Sequence, residues 1–140
     1  MSTLQQDIHN KIKFRAYDKK AKQMFIVREM AWLEGGLNVT DGGSPLGGFD
    51  CEIMRFTGLL DKQGVEIYEN DFLKFTDFDY NDNDTQHTGV VKFSEGGWKL
   101  WNKKDDQFYE ADAAFDLFWV SEQDEELEVI GNIYENKELV

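Results

Sequence analysis

Residues 51–68 read Cys51-Glu52-Ile53-Met54-Arg55-Phe56-Thr57-Gly58-Leu59-Leu60-Asp61-Lys62-Gln63-Gly64-Val65-Glu66-Ile67-Tyr68. Cys51 to Leu60 is a strand. Asp61-Lys62-Gln63-Gly64 is a tight turn, because glycine reaches the left-handed backbone region at no steric cost. Val65-Glu66-Ile67-Tyr68 is the returning strand. Strand, turn and strand within eighteen residues set a β reading for the whole chain.

Working toward the N-terminus, Lys11-Ile12-Lys13-Phe14-Arg15-Ala16-Tyr17 alternates. Ile12, Phe14 and Ala16 fall on one face, and Lys13, Arg15 and Tyr17 on the other, the period of a half-buried strand. Asp18 to Lys22 is a polar turn, and Met24-Phe25-Ile26-Val27 is the returning strand. Six of the twelve glycines lie in residues 35–48. With Asn38, Asp41, Ser44 and Pro45 they predict a glycine-rich loop, read as a flexible insertion ahead of a binding loop.

Working toward the C-terminus, Phe72–Phe75, Gly89–Phe93 and Trp98–Trp101 are further short strands, the last two joined by the hairpin turn Ser94-Glu95-Gly96-Gly97. Asp79 to His87 is a polar connection. Phe108, Ala111, Phe115 and Phe118 have near-helical spacing, which predicts a short helix within residues 110–120, in competition with a strand through Gln107-Phe108-Tyr109. Leu127–Ile130 is a final strand, and Glu135 to Leu139 a terminal helical turn. The expected fold is mainly β, a small barrel or strongly twisted antiparallel sheet with one or two short helices. Residues 1–10 are expected to be a flexible leader, and residues 11–140 a single β-rich domain.

The 28 Asp and Glu outnumber the 15 Lys and Arg, for a formal charge of −13, and the charge is graded. Residues 1–30 hold seven Lys/Arg against three Asp/Glu, whereas residues 105–140 hold one against twelve. Such acidity repels nucleic acid and anionic membrane surfaces. It favours solubility, with a basic protein surface as the sharper alternative. Cys51 is the sole cysteine, so no intramolecular disulfide forms, which fits a reducing compartment. Neither a signal peptide nor an apolar run of about 20 residues is present. The expected location is the cytoplasm of the cell that makes the protein.

Three ordered stretches carry a family likeness: Lys13–Asp18, Phe56–Asp71 and Val129-Ile130-Gly131-Asn132-Ile133-Tyr134-Glu135-Asn136. In this order and spacing the chain resembles the YopX family of bacteriophage and prophage proteins, from Lys11 to Leu139. Asn70 stands where that family more often has glycine, and asparagine also tolerates the left-handed region. The resemblance implies a mainly β fold of SH3-like barrel character in a phage or prophage protein, and no activity. Gly58, Gly64 and Gly131 read as positions of tight backbone geometry. Ile67, Tyr68, Ile130 and Ile133 read as core.

Chemistry finds little material. In Asp77-Phe78-Asp79-Tyr80-Asn81-Asp82-Asn83-Asp84, an EF-hand register from Asp79 puts Asp84 where glycine is needed and Val90 where a bidentate Glu is needed. Starting at Asp77 puts Asp82 and Thr88 in those places. The segment therefore reads as a solvated loop, and millimolar calcium should leave the melting temperature unmoved. Cys51 lies near neither His9 nor His87 in sequence, and it reads as a small buried hydrophobe. No phosphate-binding glycine loop, HExxH or CxxC occurs. No catalytic, cofactor-binding or metal-ligating residue is assigned. Trp98 and Trp101 lie on opposite faces of one strand, so one is a candidate for a binding surface. The expectation is a non-enzymatic accessory protein that binds protein, either itself or a host factor. The alternative is a nucleic-acid-associated barrel using the basic N-terminal strand around Lys11, Lys13, Arg15, Lys19, Lys20 and Lys22.

Overall fold

The computed structural model describes residues 12–43, 46–47, 50–78, 84–104, 107–108, 114–124 and 126–139. The chain is mostly antiparallel β, with one short helix and one sheet curled strongly into a half-barrel. Its contacts fall into two compact units, residues 1–56 and 57–140. The expected leader lies outside the described residues.

In the first unit, β1 (Phe14–Asp18) runs between β2 (Gln23–Ile26) and the start of β6 (Cys51–Leu60), antiparallel to both. The turn after β1 follows from Asp18, whose Oδ1 accepts the N–H groups of Lys20 and Ala21, both at 3.0 Å. Ala16 is fully buried, as its alternation requires, but Ile12 lies before the strand and is 65% exposed. The alternating pattern therefore overruns the strand at its N-terminal end.

A second, three-stranded sheet holds β3 (Glu29–Leu33), β4 (Gly36–Thr40) and β5 (Leu46–Gly47). It replaces much of the loop expected at 35–48. The glycines there act as punctuation: Gly35 and Gly36, at φ +100° and +120°, turn β3 into β4, while Leu37 and Val39 pair with Trp32 and Met30. Val39 packs with Ala16 and Cys51, and Phe25, Val27, Met30, Leu37, Leu46 and Ile53 close around them.

Cys51 is buried, and its Sγ donates to the Gly47 carbonyl at 3.5 Å. Burial raises its pKa above 9.0, reinforced by the carboxylates of Asp18, Asp50 and Glu52 and opposed by Lys19. A raised folded-state pKa means that the folded chain holds this proton more tightly. The stabilisation is therefore complete below about pH 9 and fades as pH rises through the folded value. Urea titrations from pH 8 upward should show a smaller alkaline loss in Cys51→Ala than in the parent.

In the second unit, the end of β6 turns at Asp61 into β7 (Glu66–Tyr68), with Gly64 at φ +87°. β8 (Asp71–Phe78), β9 (Asp84–Ser94), β10 (Gly97–Lys104) and β13 (Glu128–Asn132) build the main sheet. β8 is flanked by β13 and β9, and β9 pairs with β10. β10 also pairs with the short strands β11 (Gln107–Phe108) and β12 (Ala114–Asp116). Strands β8 and β9 run beyond their apolar centres, so β9 starts at Asp84 within the expected polar connection.

The helix lies later than its apolar spacing suggested. Helix α1 (Leu117–Gln123) begins where the Asp116 carboxylate accepts the Trp119 N–H at 2.9 Å, and ends at Asp124. It buries Leu117 and Val120 against Ile67, Leu73, Phe75, Val91, Leu100 and Leu127. A 3₁₀ turn covers Lys137–Leu139.

Candidate functional site

The residues that carried the family likeness in the second unit converge on one polar framework. Asp61 is 5% exposed, and its carboxylate gathers three backbone donors. Oδ1 accepts from Gln63 and Val65 at 2.8 Å, and Oδ2 accepts from Val129 at 3.0 Å. One side chain thus shapes the β6–β7 turn and pins β13 to it.

Asn70 sits at φ +71°, and its N–H donates to the Val91 carbonyl at 2.9 Å. Its side chain accepts from Lys92 Nζ at 2.7 Å and donates to the Tyr134 hydroxyl at 3.2 Å. Buried Asp71 accepts the Tyr68 N–H at 2.8 Å. Asn132 Oδ1 accepts from Tyr134 and Glu135 at 3.0 and 2.9 Å, and the Asn132 N–H donates to Asn136 Oδ1 at 3.1 Å. Gly131 is needed because a Cβ there would lie 2.5 Å from Asn136 Oδ1.

Asp124 plays the same part beside the helix. It is 2% exposed, and its two oxygens accept from Thr76 at 2.7 Å and Glu126 at 2.8 Å. These buried carboxylates thus accept backbone N–H groups, which is how a buried anion is held.

Other residues singled out in the sequence are dispersed. His9 and residues 79–83, the centre of the acidic segment, lie outside the described residues. His87 is on β9, where its ring stacks on Phe75 at 5.4 Å. Lys13 lies over the Phe56 ring at 5.5 Å, Arg15 Nε donates to Met54 Sδ, and Lys19 pairs with Glu52 at 3.1 Å. Part of the basic cluster is thereby engaged within its own unit. A groove of about 330 Å³ in the second unit is lined by Lys62, Lys74, Glu126 and Glu128 together with Gln63 and Thr76. Lys62 Nζ also donates to the Ser121 carbonyl.

Neither tryptophan of β10 reaches the surface as a free ring. Trp98 packs edge-on to Phe93 at 5.2 Å and against the core. Trp101 is half-buried, with an indole N–H that finds no acceptor among the described residues. Among the described residues the outward aromatics are Trp32 at 76% exposure, Phe118 at 60%, Trp119 at 48% and Phe93, the neighbour of Trp98, at 45%. Sequence reasoning passed over them. The available signals were the apolar pair Trp32-Leu33, separated from Gly35-Gly36 by Glu34 alone, and a helix-capping Asp116 directly before Leu117.

No match is found among curated proteins. Among solved structures, the chain is similar to protein EF1440 from Enterococcus faecalis, 26% identical over 91% of this chain and 96% of that one, with a TM-score of 0.55. The sequence profile described as "YopX protein" matches residues 13–140, taking in all three stretches that carry the likeness. This protein belongs to the YopX family.

Proposed function

We propose that the protein is a non-enzymatic accessory protein of a phage or prophage that acts in the bacterial cytoplasm by binding protein. The observation that carries this reading is the outward placement of Trp32, Phe118 and Trp119 on regular secondary structure. A tryptophan has only two side-chain torsions to fix on binding, and such rings are enriched at the energetic centres of interfaces. The uses found for Asp61, Asp71 and Asp124 support the same reading, since each carboxylate accepts backbone N–H groups. The graded charge adds a preference for a partner with basic groups near the C-terminal third.

The test combines light scattering on the purified chain with affinity capture from the bacterial host. It compares the parent with Trp32→Ala and with the double variant Phe118→Ala/Trp119→Ala. One variant should weaken association about tenfold or more while leaving the urea midpoint unchanged. A strictly monomeric chain that retains no specific protein overturns the reading.

A further inference from the structure

We infer that strand β3 is a self-complementary edge, which pairs antiparallel with β3 of a second copy about a two-fold axis through Ala31. This deepens the protein-binding reading and rests on it. β3 is the outer strand of its sheet, bonded to β4 on one side only among the described residues. Proteins usually blunt such an edge with lysine, proline, a bulge or a covering segment. Here the strand reads Glu29-Met30-Ala31-Trp32-Leu33, with exposed Ala31, Trp32 and Leu33, and its pairing to β4 runs without a shift.

The sequence fixes one register. A five-residue strand overlaps its own copy fully only when Ala31 faces Ala31, which sets Met30 opposite Trp32 and Glu29 opposite Leu33. Just beyond the strand ends, the same two-fold brings Arg28 of one copy near Glu34 of the other, in its β3–β4 turn. Both are exposed, and neither holds an ion pair among the described residues. By symmetry the charge match occurs twice. Within the strand, positions 30 and 32 share parity, so the two Met30–Trp32 pairs form one ladder on one face.

That face is the one from which Met30 and Val39 reach the first unit's core, while Trp32 extends beyond it. Pairing would cover the ring with the partner's Met30. It would also satisfy edge N–H and C=O groups that otherwise face solvent, and the alanine at the axis leaves the backbones free to approach. A contact of this length buries less than a standard interface, so the dimer forms in a concentration-dependent manner.

The test is sedimentation equilibrium of the full chain, the charge-reversed variants Arg28→Glu and Glu34→Arg, their equimolar mixture, and the double variant. Both substitutions fall at exposed positions flanking the strand. The parent should self-associate, and each single variant should do so about tenfold more weakly, because like charges then face each other twice. The mixture and the double variant should both recover, because opposite charges again meet. A monomeric parent up to about 1 mM overturns the inference, because that limit leaves no usable affinity. A parent that associates while both single variants match it also overturns the β3 edge, yet leaves the protein-binding reading intact. That reading fails separately, if the chain neither associates nor retains a host protein.

Discussion

Asp61→Ala should cost the second unit about 4 kcal/mol, the sum of hydrogen bonds to a carboxylate and of the donors left without it. Three N–H groups, of Gln63, Val65 and Val129, converge on that one side chain. The first two lie on the exposed turn, where water takes over part of the role. Val129 is half-buried, and its N–H has less access to a substitute. Asp61→Asn separates the contributions. Its amide oxygen can still serve the turn, but its NH₂ group cannot accept from Val129, so about 2 kcal/mol should be lost. Urea unfolding should show both losses as a lower midpoint at unchanged slope. Equal midpoints for parent and Asp61→Ala would show that the carboxylate organises nothing.

Gly131→Ala should destabilise by about 3 kcal/mol, combining overpacking with a lost hydrogen bond. The added methyl would meet Asn136 at Oδ1, Cγ and Cβ, at 2.5, 2.6 and 2.9 Å. Rotating the amide away does not suffice, because Cβ itself is too near, and the rotation would take the acceptor from the N–H of buried Asn132. Asn136→Gly removes every clashing atom and loses that acceptor together with a long, exposed donation from Asn136 Nδ2 to Glu138 Oε1 at 3.5 Å. The double variant should therefore be more stable than the two single losses predict, by about 1–2 kcal/mol, the coupling expected of residues in contact. Simple additivity would mean that the two positions do not touch.

The sequence reading succeeded where each residue had a single role. Cys51–Leu60 was legible as a strand because apolar residues dominate it and Asp61 and Gly64 mark its end. Glu95-Gly96 was legible as a hairpin turn, and both residues take positive φ, at +52° and +78°. The tolerance expected at Asn70 is realised at φ +71°.

Strands β3 and β4 escaped notice for a physical reason. β3 has four exposed residues out of five, so no burial pattern was imprinted on it. In β4, the informative Leu37 and Val39 were outweighed by surrounding glycines that serve the turns. The helix was misplaced because Phe108, Ala111, Phe115 and Phe118 suggested its phase. The buried residues are Leu117 and Val120 instead, and the Asp116 cap was the better guide. Of the candidate surface, Trp98 and Trp101 were chosen for their alternation. Exposure depends on which neighbours a fold supplies, and that is not local information.

Cys51 offers an internal clock for the first unit. It is the sole thiol and is sealed beside Ala16 and Val39, so an alkylating reagent must wait for a fluctuation that uncovers it. When reclosing outpaces the chemistry, the labelling rate is the intrinsic thiol rate scaled by the open fraction. The free energy of that local opening then becomes readable under native conditions, in an unmodified chain.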